Sequence, residues 1–246
     1  MTIDWIHGRN FAQPGSKAEP SMKTIQRSLR LSDVAAESIR AEIVSGRLAP
    51  NSRITISNVA QILGTSNTPV REALVRLAEA GLVLFDGAAV RIVGATDENI
   101  IQAFELRAQL ESMTARLAAQ RRSPEEADAL VDLALASQKA AADGDREAFY
   151  AYDGAFHKSI AAVAKNTFLE KYASNAYDLA TVLRNVRRAP EQFHARASHM
   201  HIQIADAVKK QDEELAESLG SEHVKTVLLY LEGSSEAQSH NTETRE

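Results

Sequence analysis

The 246-residue chain has no cysteine. That excludes disulfides, a thiolate zinc site and a secreted disulfide scaffold. It also lacks any apolar run of membrane-spanning length, and residues 1–15 lack the apolar core of a signal segment. A soluble, cytoplasmic protein without membrane attachment is expected. Positive charge is scarce: 28 Lys and Arg stand against 33 Asp and Glu, a net of -5, which taken whole argues against a nucleic-acid partner. Dividing the chain changes that reading. Residues 1–94 hold 11 basic against 8 acidic side chains, and residues 95–246 hold 17 against 25. The basic surplus is N-terminal and small, so attraction to phosphates would need two copies or a focused patch.

What is present in that N-terminal part is a break between two helices at Ile62-Leu63-Gly64-Thr65-Ser66-Asn67-Thr68-Pro69-Val70-Arg71. Gly64 suits a tight turn. Thr68 is expected as N-cap and Pro69 as the first helical residue, where its missing N–H has no intrahelical use. Val70, Ala73, Leu74 and Leu77 then give the second helix one apolar face. Ser66, Asn67, Thr68 and Arg71 are left at its exposed start, the arrangement by which a helix-turn-helix reads the major groove.

The rest of the pattern frames this motif. Residues 1–27 are aperiodic and rich in Gly, Pro, Ser, Gln and Lys, and are expected to form a flexible arm. Leu31, Ala35, Ile39 and Ile43 mark an amphipathic helix ended by Ser45-Gly46 and Pro50. A short helix is expected around 57–63. Two apolar runs, 82–85 and 89–93, flank Asp86-Gly87 and signal a β-hairpin. Three helices and a hairpin make residues 28–94 a winged helix-turn-helix. Residues 95–233 are helical in pattern, with breaks near 123–124, 143–145, 166, 189–190, 211–212 and Gly233, giving about six helices in an antiparallel bundle. Residues 234–246 are polar and expected to be disordered. The fold class is therefore mainly α, with a small β-hairpin.

Two stretches carry a family likeness. Ile43-Val44-Ser45-Gly46-Arg47-Leu48-Ala49-Pro50 and Thr68-Pro69-Val70-Arg71-Glu72-Ala73-Leu74, with Leu77 and Gly81-Leu82-Val83, resemble the winged-helix domain of GntR-family bacterial transcription regulators. Glu105-Leu106-Arg107, Leu110-Glu111, Asp153 with Phe156-His157, His201 with Ile204, Asp206-Ala207-Val208 and Glu222-His223 resemble the helical, ligand-binding FCD domain of the FadR subgroup. The likeness spans about residues 29–232. It implies a homodimeric, ligand-responsive repressor or activator that binds double-stranded operator DNA. Two departures matter: the family usually has Arg where Asn67 stands, and the wing tip, Asp86-Gly87-Ala88-Ala89, carries no cation. Both remove positive charge from the DNA face, so a different operator or weaker binding is expected.

Within the motif, Arg71 offers a fork suited to a guanine edge or a phosphate, and Asn67 either pairs with adenine or caps the helix. The bland alternative for Arg71 is an ion pair on its own helix. Arg47, Arg53 and Arg91 are either phosphate contacts or solvated surface charges. In the second domain, Asp153 and His157 stand four apart on one helical face, and His201 and His223 fall on the last two helices. Such nitrogen and oxygen donors suit a divalent ion such as zinc, nickel, cobalt or manganese. Spacing alone more often means a surface pair. The resemblance shifts the balance, because Asp153, His157, His201 and His223 match the four ligand positions of metal-containing members; zinc or nickel is then the leading choice. Arg107 matches the Arg lining the effector cavity there, which implies a small organic acid as effector; the alternative is a pair with Glu111 one turn on. His194 and His199 match nothing and are expected to be ordinary polar positions. The rival function is a metal-dependent hydrolase using the same ion to activate water. No separate general base is evident, and no enzyme is expected.

Overall fold

The computed structural model describes residues 29–87, 89–186 and 191–243. The expected arm at 1–27 lies outside them, as does the break at 189–190. In chain order the elements are α1 (Leu29–Val44), β1 (Arg53–Thr55), α2 (Ile56–Ile62), α3 (Asn67–Glu79), β2 (Val83–Asp86), β3 (Ala89–Ile92), α4 (Asp97–Arg121), α5 (Pro124–Ala142), α6 (Arg146–Val163), α7 (Thr167–Arg184), α8 (Glu191–Lys210) and α9 (Glu213–Glu243).

In the first domain, α1 packs on α3 through Ala35, Ile39 and Ile43 against fully buried Val70, Ala73, Leu74 and Leu77. The hairpin forms at Asp86-Gly87, but it has a third strand. β1 pairs antiparallel with β3, with Arg53 opposite Arg91, and the sheet order is β1-β3-β2. A winged helix with a three-stranded sheet results.

Six helices follow among the described residues, and side chains cap the starts of α5, α6, α7 and α9. Ser123 accepts from Glu126 N while Glu126 accepts from Ser123 N (3.2 and 2.6 Å), closing a capping box ahead of Pro124. Asp145, Asn166 and Asp212 cap α6, α7 and α9 through the backbone N–H three residues on. The break expected at Gly233 is absent, since α9 runs on to Glu243. The stretch from Ser234, expected to leave the fold, is therefore helical to that point. One glycine costs a helix only about 1 kcal/mol, too little to end one already anchored by twenty residues of packing.

Two apolar clusters organise the molecule. One is continuous from α1, α3 and the wing into α4 and α9, through Val93, Ile100, Phe104, Val224, Val227 and Leu231. The other fills the far end of the bundle around Phe156, Ile160, Ile204 and Val208. The domains are also tied by polar contacts between α1 and α7. Arg40 donates to Asp178 Oδ2 (2.5 Å) and Asn175 Oδ1 (3.2 Å), and Asn185 Nδ2 donates to the Val44 carbonyl (2.8 Å).

Candidate functional site

The turn between α2 and α3 is built by backbone. Gly64 takes φ 63°, the left-handed region open to glycine, so that Gly64 N–H reaches Gln61 O (3.2 Å) and Thr65 N–H reaches Ala60 O (3.0 Å). This is the doubly bonded C-cap that closes a helix abruptly. The N-cap of α3 is Ser66, not Thr68, and Ser66 makes no side-chain capping bond. Asn67 is the first helical residue and Pro69 the third, still within the turn whose N–H groups have no intrahelical partner. The shift leaves Ser66, Asn67, Thr68 and Arg71 exposed at the helix start. Arg71 has no ion pair among the described residues, so the pairing alternative for it falls away.

Two of the other candidate cations are already engaged. Arg47 is bidentate to Glu42 (both 2.7 Å) and Arg53 donates to Asp86 Oδ2 at the wing tip (2.9 Å); all four side chains are exposed. Such pairs are weak and exchange readily in water. Arg91, in the middle strand, is half-buried with its Nε unpartnered.

The second site lies between the two apolar clusters. α6 brings Asp153 and His157 to one face, α8 brings His201 and α9 brings His223; all four are buried. His157, His201 and His223 each offer a nitrogen within 4.8 Å of the others, an arrangement able to hold a metal ion. His201 Nε2 stands 3.3 Å from His223 Nε2 and 3.5 Å from Asp153 Oδ1, which is 3.8 Å from His157 Nε2. Phe156 stacks on His201 with ring centroids 4.6 Å apart. The Nδ1 atoms of His201 and His223 are buried and unpartnered. The facing Nε2 atoms of His201 and His223, with His157 and Asp153 beside them, form a donor set that suits a borderline divalent ion.

The electrostatics favour the same chemistry. Burial pushes all three imidazole pKa values down, that of His201 to about 4 despite Asp153; the charge of Arg107 adds to the effect on His157, and the neighbouring imidazoles to that on His223. Neutral imidazole is the ligating form. Burial alone would raise the Asp153 carboxyl, but Arg184, His201, Arg107 and a hydrogen bond from Tyr177 (2.7 Å) outweigh it and hold it low.

Arg107 is buried and does pair with Glu111, Nε to Oε1 at 2.5 Å, so the intrahelical alternative is the geometry observed. Its Nη2 also reaches His157 Nε2 (3.1 Å), while Nη1 is buried without a partner. Glu111 in turn stands 3.3 Å from His157 Nδ1. Since a guanidinium only donates, His157 Nε2 accepts from Arg107, which puts the proton of the neutral ring on Nδ1, beside Glu111. A cavity of about 20 Å³, room for about one water, lies beside Glu111, His157 and Tyr177. At Gly220 the helices α9 and α4 nearly touch: a Cβ there would lie 2.8 Å from the Glu111 carbonyl oxygen.

His199 is exposed, as expected. His194 is instead buried, its Nε2 3.0 Å from the Tyr150 hydroxyl. Sequence reasoning missed Tyr177 and Arg184. Both sit on α7 among buried Ala173, Ala176, Ala180 and Leu183, and polar side chains at helical spacing on an apolar face were the available signal.

Comparison with known proteins agrees with both halves. Residues 31–89 match the model of bacterial regulatory proteins of the gntR family, and residues 102–226 match the FCD domain. A probable D-xylose utilization operon transcriptional repressor from Paenarthrobacter nicotinovorans is 32% identical over 190 residues, 76% of this chain and 82% of that one. Among solved structures, McbR/YncC of E. coli superposes with a TM-score of 0.71 at 20% identity, covering 82% of this chain and 98% of the other. A GntR regulator from Rhodococcus sp. RHA1 gives 0.66 at 21%, covering 82% and 97%. At these identities the superpositions speak for the fold.

Proposed function

The chain belongs to the GntR family of bacterial regulatory proteins, with a DNA-binding head and an FCD domain, and from that premise we propose a homodimeric FadR-subgroup regulator that senses a small carboxylate through a divalent ion. One observation carries this reading: the chain that exposes a polar, unpaired helix start at Ser66–Arg71 also encloses a convergent Asp-His-His-His donor set. The first faces operator DNA in the bacterial cytoplasm; Ser66, Asn67, Thr68 and Arg71 contact base edges, and Arg47 and Arg53 exchange their carboxylate partners for phosphates. Asp153, His157, His201 and His223 hold the ion, zinc or nickel, which supplies an electrophilic point for a carboxylate. Arg107 lies alongside with an unused Nη1. With the His157 lone pair directed to a bound ion, Arg107 would have Nη1 and Nη2 for the acid while its Nε stays with Glu111.

Two symmetry-related heads prefer an inverted repeat. The exposed apolar side chains Leu106 and Met113 on α4 and Phe168 and Tyr172 on α7 supply a face that a second copy would cover. α4 starts five residues beyond β3, and Asn99 Nδ2 holds the Gly94 carbonyl (2.8 Å), so movement of α4 is felt by the wing.

Selection of bound sequences from random duplexes, followed by footprinting, tests the DNA reading. An inverted repeat is expected, and Asn67→Arg should strengthen binding or move preference towards the common family operator. An unchanged profile would show that position 67 does not face the bases.

A further inference from the structure

Tyr177 is 6% exposed, and its hydroxyl donates to Asp153 Oδ2 at 2.7 Å. Arg184 Nη2 lies 3.8 Å from the same oxygen, beyond bonding distance. The two oxygens of Asp153 therefore have different company. Oδ2 is taken by the phenol, while Oδ1 stands 3.5 Å from His201 Nε2 and 3.8 Å from His157 Nε2. An ionised carboxylate only accepts, so a firm donor on one oxygen fixes where the other is aimed.

The rest of the phenol is built into the same place. Its ring lies 4.9 Å from the His157 ring, centroid to centroid, and Arg107 Cζ stands 4.9 Å from its centroid. Gly154, next to Asp153 on α6, leaves the space that the phenol fills: a Cβ there would stand 3.4 Å from the hydroxyl oxygen. Tyr177 comes from α7, which supplies none of the four donors. Through this one hydroxyl, α7 sets the direction of a donor carried by α6.

We propose that Tyr177 is a positioning residue of the metal centre, whose hydroxyl turns a single oxygen of Asp153 towards the three imidazoles. The inference rests on the metal reading above and adds the residue that aims the carboxylate. A carboxylate with both oxygens free can serve an ion through one or through both. With Oδ2 held by the phenol, Asp153 offers Oδ1 alone. Partners that orient a ligand in this way govern metal affinity by about 10- to 100-fold.

Two measurements on the full chain test this: zinc affinity by competition with a chelator, and the visible spectrum of the cobalt-loaded protein. Tyr177→Phe keeps the ring against His157 and Arg107 and removes only the hydroxyl. It should weaken zinc binding about 10- to 100-fold and alter the cobalt bands, which report the ligand set. In an Asp153→Ala background the same change should shift zinc affinity by less than about twofold, because the hydroxyl has nothing left to aim. Wild-type zinc affinity and cobalt bands in Tyr177→Phe, with only Tm lowered, would make the hydroxyl a packing contact and overturn the proposal. So would a loss of about tenfold on adding Tyr177→Phe to Asp153→Ala, which would mean that the hydroxyl acts by another route. That pair of variants decides the matter should Tyr177→Phe alone fail to fold, since removing both buried partners leaves no orphaned carboxylate. A wild-type chain that takes up neither zinc nor cobalt would sink the metal reading itself. A wild type that binds both, beside an indifferent Tyr177→Phe, would sink only the role of the hydroxyl.

Discussion

On α3, Ser66, Asn67, Thr68 and Arg71 stand in water, where solvent satisfies any donor the protein does not use. Around Asp153, the Nδ1 atoms of His201 and His223 and Nη1 of Arg107 are sealed from solvent with no partner. An unmet buried donor costs about 1–3 kcal/mol, whereas an unused exposed one costs nothing. The reading head is therefore indifferent to whether its ligand is present, whereas an ion held between the buried imidazoles would add its binding free energy to the fold of the helical domain. Its stability should answer to what it binds, and stability measurements separate the two regions as sharply as binding measurements.

The largest expected effect is on the metal. Purified protein should carry near-stoichiometric zinc or nickel by elemental analysis, and His201→Ala or His223→Ala should remove it. Free ion at a thousand times its Kd stabilises a fold by about 4 kcal/mol, so chelation should lower Tm by several degrees. Protein that refuses zinc and nickel alike would end the contrast drawn above. Next in size is the domain tie. Arg40→Ala leaves the buried Asp178 carboxylate without its 2.5 Å partner and should cost about 2 kcal/mol in denaturant unfolding; an unchanged midpoint would mean that α1 and α7 do not hold each other in solution.

Arg71→Ala should reverse the pattern, weakening operator binding by about 10- to 100-fold, the worth of a bidentate base contact, without moving Tm. A variant that lost stability instead would place Arg71 in the fold rather than on the duplex. The smallest effect belongs to the wing. Asp86→Ala releases Arg53, and the salt dependence of DNA binding should steepen by about one ion. An unaltered slope would leave Arg53 a surface charge.

Much of this was legible in residue order. Asp153 and His157 four apart had to share a helical face, and the break at Ser123-Pro124 marked the start of α5. The convergence of His201 and His223 with them is tertiary, and no spacing of 44 or 22 residues along a helical chain encodes it. β1 escaped notice because three residues between helices carry no alternation; it exists only through its register with β3. The N-cap was misplaced by two positions because Ser66, Asn67 and Thr68 are all good caps, and the turn at Gly64 makes the choice. Arg184 was hidden among alanines, where side-chain type alone does not say whether a cation reaches solvent.

The near-contact at Gly220 has a mechanical consequence. With no side chain between α9 and the Glu111 carbonyl, α9 cannot translate towards α4, and the easy motion left is a tilt about that crossing. Gly220 is then a pivot for the C-terminal arm of α9, with His223 only one turn along that arm and Leu231, in the cluster shared with the reading head, farther out on it. Leu231 lies about 16 Å out at 1.5 Å per residue, so each degree of tilt moves it by about 0.3 Å. A bulkier residue at 220 would reset the resting angle of that arm and so shift His223 and Leu231 together.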